Sequence, residues 1–132
     1  MKYLLDTHIL IWWLEGGTKL SINQQTAINT ASPLNPLLVA DITLWEIATL
    51  VDLGRLRFSL PLKEWLQRAV APPLVSLCSI TPAVAAQVAS LPSSFHRDPG
   101  DRIITSTAII HGAELITSDG KIIASSIVKT IS

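Results

Sequence analysis

Short β-favouring apolar runs alternate along the chain with longer stretches in which apolar residues recur at helical spacing. The runs KYLL (2–5), PLLVA (36–40), PLVSLCSI (73–80), AELIT (113–117) and SIVKTI (126–131) are bounded by Pro, Gly or Ser and predict strands. Helix-start signals fall between them. Asp6 precedes THILIWWL, Ser21 precedes INQQTAINTA, Thr43 precedes LWEIATLVDLG, Ser59 stands shortly before PLKEWLQRAVA, and Thr81-Pro82 opens AVAAQVASL. Asp98-Pro99 opens a further helix through RIITSTAIIHG, and Gly54 and Gly112 stand where C-terminal caps belong. PLLVA and AELIT are apolar without clear alternation, as strands buried on both faces should be. The expected architecture is therefore α/β: a three-layer α/β/α sandwich around a central, mostly parallel sheet of four or five strands. No repeat, linker or low-complexity tract divides residues 1–132, which read as one domain.

That architecture makes the strand ends the places to look for chemistry, because open parallel sheets bind ligands outside the carboxyl ends of their strands, near a topological switch point. Asp6 closes the first strand, Glu46 lies in the first turn of the helix after PLLVA, Asp98 and Asp101 open the RIITSTAIIHG helix, and Asp119 follows AELIT. Each has an ordinary structural role when taken singly. Thr43-x-x-Glu46 is a capping box, Asp98-Pro99-Gly100-Asp101 reads as a cap followed by a first turn, Asp119-Gly120 is a turn pair, and Asp6 could cap its own helix. Taken together they put acid at several βα junctions on one sheet edge. Like charges so placed oppose one another unless a cation neutralises them, and an all-oxygen donor set suits Mg²⁺ or Mn²⁺. Asp6 and Asp101 are the expected direct ligands, with Glu46 and Asp119 holding bound waters or a second ion and Asp98 the alternative at the helix start. Asp41 is the weaker candidate, and Thr7 and Thr117 are placed to orient the carboxylates.

Composition narrows what such a site could act on. Ten basic and ten acidic residues give a formal net charge of zero, so no broad polyanion-binding surface is expected. Affinity for nucleic acid would have to be local, with Arg97 and Arg102 beside the acidic helix start, and Arg55 and Arg57 in LGRLRF, as the phosphate contacts. Trp12, Trp13, His8, His96 and His111 read as core, loop or helix-end residues. The single cysteine, Cys78, lies in an apolar run and favours a reducing, cytoplasmic setting over catalysis or a disulfide. The apolar N-terminus is interrupted by Asp6 and His8, which argues for mature structure over a signal peptide. No apolar run approaches the roughly 20 residues that span a bilayer, so no membrane association is expected.

In order and spacing, YLLDTHILIWWL, LWEIATLVDLGRL, HRDPGDRIITSTA and AELITSDGKI resemble the PIN-domain family, in particular the ribonuclease toxins of VapBC-type toxin-antitoxin modules. The resemblance covers nearly the whole chain. It implies a Mg²⁺- or Mn²⁺-dependent endoribonuclease that hydrolyses RNA with metal-activated water, with Asp6, Glu46, Asp101 and Asp119 as the catalytic acids. It also implies a homodimer and a cognate antitoxin that blocks the acidic pocket. Two rivals fit less well. A phosphatase of the haloacid-dehalogenase kind wants a second Asp where His8 stands, and a PIN-like interaction module has no need of all four acids.

Overall fold

The computed structural model describes residues 1–132. Its centre is the first strand, β1 (Tyr3–Leu5), flanked by β2 (Leu37–Ala40) on one side and β4 (Glu114–Ile116) on the other, with β3 (Val75–Cys78) outside β2 and β5 (Thr130–Ile131) outside β4. The order β3-β2-β1-β4-β5 is parallel throughout, and Leu5 stands opposite Val39 in β2 and Ile116 in β4. The sheet thus has five strands and is wholly parallel. Successive crossovers run outward from β1 to β3, and the chain then returns across the sheet to β4. The switch point of the topology lies between β1 and β4, where Asp6 emerges.

The strand pleat divides the core between two faces. Leu5, Val39 and Ile116 point to one side, where they pack with Ile9, Leu10, Ile28, Ile47 and Trp65 from α1 (Thr7–Leu14), α2 (Ile22–Ile28), α3 (Ile42–Asp52) and α4 (Leu62–Ala69). Leu4, Leu38 and Leu115 point to the other, against Ile104 and Ala108 of α6 (Pro99–His111) and Ile122 of α7 (Gly120–Ser125). Between β3 and α6 the chain forms α5 (Pro82–Ser90), which packs along α6.

Several local signals act as the sequence suggests. Ser21 and Gln24 form a reciprocal capping box at α2, Thr81 caps α5 ahead of Pro82, and Gly112 ends α6 at φ 61°. Others do not. Helix α3 begins at Ile42, one residue before the expected cap: Thr43 is buried inside its first turn, and Asp41, at the cap position, makes no capping bond but accepts from the Ile80 amide. Pro61 rather than Ser59 precedes α4, with no side-chain cap. The run SIVKTI supplies only a two-residue edge strand, because Ser126, at φ 56°, ends α7, a helix that the sequence reading omits.

Asp98 is the N-cap of α6, with Pro99 in the first turn and the Asp98 carboxylate accepting from the Asp101 amide at 3.0 Å. Asp98→Ala should therefore lower unfolding stability by about 1 kcal/mol, while Asp98→Asn, itself a good cap, should leave it nearly unchanged. Urea denaturation of the two variants separates them, and equal losses would remove the capping role.

A candidate active site at the carboxyl edge of the sheet

Asp6 is the first residue beyond the central strand and is only 4% exposed. Its backbone N–H still donates to Ile116 across the sheet, at 3.0 Å, so the position of its Cα is set by strand pairing. The carboxylate is held at both oxygens: Oδ1 accepts from the Thr7 amide at 2.8 Å and Oδ2 from the Thr117 hydroxyl at 2.7 Å. Thr117 follows β4, and its Oγ1 also accepts from the Asp119 amide at 3.0 Å. One hydroxyl therefore ties the Asp6 carboxylate to the turn that carries Asp119. Asp119 in turn caps α7, with Oδ1 accepting from Lys121 N at 2.8 Å and Ile122 N at 3.3 Å.

Thr7 makes the matching link on the other side. Its hydroxyl donates to Glu46 Oε1 at 2.6 Å and lies 3.0 Å from the Thr43 hydroxyl. Since the single Thr7 proton goes to the carboxylate, Thr43 is the donor in the second contact. This replaces the capping-box reading: Thr43 faces Thr7 instead of the helix end, and Glu46 is left to project toward the strand ends. Gly100 is buried against that carboxylate, and a Cβ at position 100 would collide with Glu46 Oε2. The missing side chain lets the first turn of α6 close onto α3.

Asp101, one turn into α6, receives His96 Nε2 on its Oδ2 at 2.7 Å. His96 is presented by a loop that Arg102 anchors. The Arg102 guanidinium is buried and donates to the carbonyls of Phe95, His96 and Val88, each at 3.2 Å. Arg102 is thus not placed as a phosphate contact: its donors are occupied by backbone, and its role is to fold the loop before α6. Arg97 is exposed and does not line the acidic cavity.

Asp6, Glu46, Asp101 and Asp119 line a single cavity of about 240 Å³, together with Thr7, His8, Trp45 and Arg55 among others. Asp98 remains outside it at the helix cap. A larger cavity of about 510 Å³, beside Phe95, Lys121 and Ser125, contains no carboxylate. Burial raises the Asp6 pKa, against the lowering effect of its Thr117 and Thr7 hydrogen bonds. Burial likewise raises Glu46, opposed by Thr7 and reinforced by the charges of Asp6 and Asp101. For Asp101 burial again dominates, opposed by His96 and reinforced by Asp6, Asp98 and Asp119. The acids therefore sit in one another's field, and a cation entering the cavity lowers the energy of all of them. No three of these side chains close into one coordination shell by themselves. The donor set still suits a hard divalent ion that takes one or two carboxylates directly and keeps several waters.

His96, Thr43 and Gly100 are the site residues that sequence reasoning missed. His96 stands five positions before Asp101 in HRDPGD, a spacing that carries no helical or strand periodicity. For Gly100 the signal was present, since a glycine in the first turn of an otherwise regular helix suggests a close approach.

A parallel sheet whose switch-point edge carries four carboxylates defines a PIN-type fold, and the PIN domain model matches residues 3–125. The chain belongs to the PIN domain family. Ribonuclease VapC22 of Mycobacterium tuberculosis is 40% identical over 119 residues, which cover 90% of this chain and 88% of that protein. Among solved structures, VapBC2 of Rickettsia felis bound to a promoter DNA fragment superposes with a TM-score of 0.71 at 16% identity, covering 98% of this chain and 97% of that one. VapBC-1 of nontypeable Haemophilus influenzae gives 0.71 at 17% identity, covering 98% and 96%. These two likenesses concern the fold.

Two predictions follow from the hydrogen bonds and charges of the site. The folded-state pKa values of Asp6, Glu46 and Asp101 lie above the ordinary 3.8, 4.5 and 3.8, so the folded chain retains protons that the unfolded chain has released. In chelator, their contribution to stability is greatest below those ordinary values and is lost as pH rises through the raised ones. Urea midpoints should accordingly rise on mild acidification from neutral pH, and Asp6→Asn should flatten the rise; midpoints that instead fall steadily over that range contradict the arrangement. Arg102→Ala should cost about 2–3 kcal/mol, because it leaves buried carbonyls without donors. Arg102→Lys should recover only part of that loss, since an ammonium cannot reproduce the planar fork, and full recovery would show that charge alone is needed.

Proposed function

We propose that this chain is the ribonuclease toxin of a toxin-antitoxin pair, a cytoplasmic endoribonuclease that cuts RNA with the help of Mg²⁺ or Mn²⁺. The single observation that carries the chemistry is the convergence of Asp6, Glu46, Asp101 and Asp119 on one cavity at the switch point of the sheet. The 40% identity to a protein named as a ribonuclease, over 90% of the chain, supports RNA as the substrate. The solved relatives named above as VapBC complexes support a cognate antitoxin as partner. No helix is long and apolar enough to cross a membrane. A homodimer, as the resemblance implies, belongs to the same reading.

In this reading Asp6 and Asp101 would hold the ion directly and Glu46 and Asp119 would hold its waters. A divalent ion bound there would supply an activated water and neutralise charge developing on the phosphoryl oxygens. The residues of the chain do the rest. Thr7 and Thr117 hold Glu46 and Asp6 at fixed angles, so their charge is aimed into the cavity before anything binds. His96 restrains Asp101 in the same way. The site holds no nucleophilic cysteine: Cys78 is buried in β3, and burial raises its thiol pKa. A cavity lined by acids also favours a cationic side chain, which is the chemistry expected of an antitoxin segment that blocks it.

The test is the purified protein against a panel of single-stranded and structured RNAs in Mg²⁺, Mn²⁺ or EDTA. Cleavage should occur with either metal, cease in EDTA and be abolished by Asp101→Asn at equal folded concentration. Activity undiminished in EDTA, with the Asp101→Asn protein equally active, refutes the reading. Thermal melting gives a second readout: Mn²⁺ should raise the midpoint of the wild type by mass action, and less so for Asp6→Asn/Asp101→Asn.

A further inference from the structure

A groove of about 410 Å³ adjoins the acidic cavity and shares His8, Leu50 and Arg55 with it. The charge along the groove is mostly positive: Lys19, Arg55 and Arg57 line it against one acid, Glu15. In a chain of zero formal net charge this is a local concentration of cations, and none of the three is engaged in an ion pair.

Backbone turns put the cations there. After α1 the chain reverses through Gly16 and Gly17, at φ 110° and 73°, with the Gly17 amide donating to Trp12 O at 2.7 Å. That reversal lays Lys19 back over α1, its Nζ 5.8 Å from the centre of the Trp12 ring. Helix α3 ends in the same manner at Gly54, φ 74°, and the Arg55 amide returns to Leu50 O at 2.9 Å. The indole of Trp12 is half-buried, anchored on the core beneath, with the imidazole of His8 at a ring separation of 6.2 Å. A line of cations beside an aromatic face is the arrangement that binds single-stranded nucleic acid, phosphates on the charges and a base on the ring.

We propose that this groove seats the single-stranded RNA flanking the scissile phosphate, with phosphodiesters on Arg55, Arg57 and Lys19 and a nucleobase against Trp12. The inference rests on the ribonuclease reading and specifies how its substrate is held. Continuity with the cavity decides the occupant: Arg55 lines both, so a strand lying on the cations leads its next phosphate to the carboxylates. The acidic cavity repels a polyanion by itself. The neighbouring cations compensate for that repulsion without raising the net charge of the chain.

The test reads binding separately from cleavage. In the Asp101→Asn background, a labelled unstructured 12-nucleotide RNA is titrated by fluorescence anisotropy at several salt concentrations. Arg55→Gln/Arg57→Gln should weaken binding at least about 10-fold at low salt and reduce the slope of log K against log salt by about 1.4, two single-strand phosphate contacts. Lys2→Gln/Lys63→Gln, which removes the same charge outside the groove, should change the slope by less than half as much. Trp12→Leu should weaken binding about 5-fold or more with the slope unchanged. Circular dichroism establishes that each variant is folded. Absence of RNA binding by the Asp101→Asn protein overturns the inference, as does wild-type affinity and slope in the double arginine variant. If the Asp101→Asn protein with its arginines intact binds a poly-glutamate 12-mer more tightly than the RNA, and the double arginine variant loses that binding, the groove belongs to an acidic peptide and the inference is overturned. Failure of the ribonuclease reading itself appears elsewhere, as absent cleavage of every RNA by the wild-type protein in Mg²⁺ and Mn²⁺.

Discussion

A carboxylate placed at the end of the central strand and cut off from water is the constraint around which this molecule is arranged. Burying Asp6 is unfavourable, and what offsets the cost is one backbone amide and one hydroxyl, from Thr7 and Thr117. Both partners follow strands, so their positions depend on the parallel register of β1 and β4. A slip of that register would withdraw Thr117 and leave the charge uncompensated. The same two threonines then extend the arrangement outward, Thr7 to Glu46 on α3 and Thr117 to the backbone of Asp119 before α7. Three acidic residues from separate stretches of chain, Asp6, Glu46 and Asp119, are thereby connected through two threonines, while Asp101 is held separately by His96.

The sequence carried the frame of this arrangement because its signals are local. Apolar runs without alternation marked the interior strands, and acids at their ends followed from the parallel architecture. What was lost depends on contacts distant along the chain. Thr43 and Glu46 satisfy a capping pattern on paper, but Thr7, 36 residues before Thr43, diverts both. Arg102 looked like a free cation because nothing in RDPGDR reveals that three carbonyls close around it. His96 had no periodicity to betray it. Helix α7 is six residues long, too short for a helical pattern to stand out, and its left-handed cap at Ser126 with the bend at Ile127 and Val128 leaves only Thr130 and Ile131 of the expected run in the last strand. Edge strands this short also leave little unpaired backbone for another chain to join.

Zero net charge concealed strong local fields of both signs. The acids gather at the sheet edge, and the unpaired cations at the turns leaving α1 and α3. Each group is placed by a backbone feature, a strand end or a glycine turn, so the charge pattern is as reproducible as the fold. A whole-chain sum reports on solubility and on broad polyanion affinity. It says nothing about two opposed patches that share a wall.

The pleat that sends Leu4 and Leu5 to opposite faces has a mechanical consequence for the site. Glu46 rides on α3, whose Ile47 is embedded in the core on one side of the sheet; Asp101 rides on α6, whose Ile104 is embedded in the core on the other. The gap between the two acids therefore works as a caliper whose jaws are seated in separate cores. Trimming or thickening either hydrophobic layer, far from the cavity, resets the opening of the jaws without altering any residue between them. At the first turn of α6, with a bare Cα against the Glu46 carboxylate, the caliper has already closed to its stop.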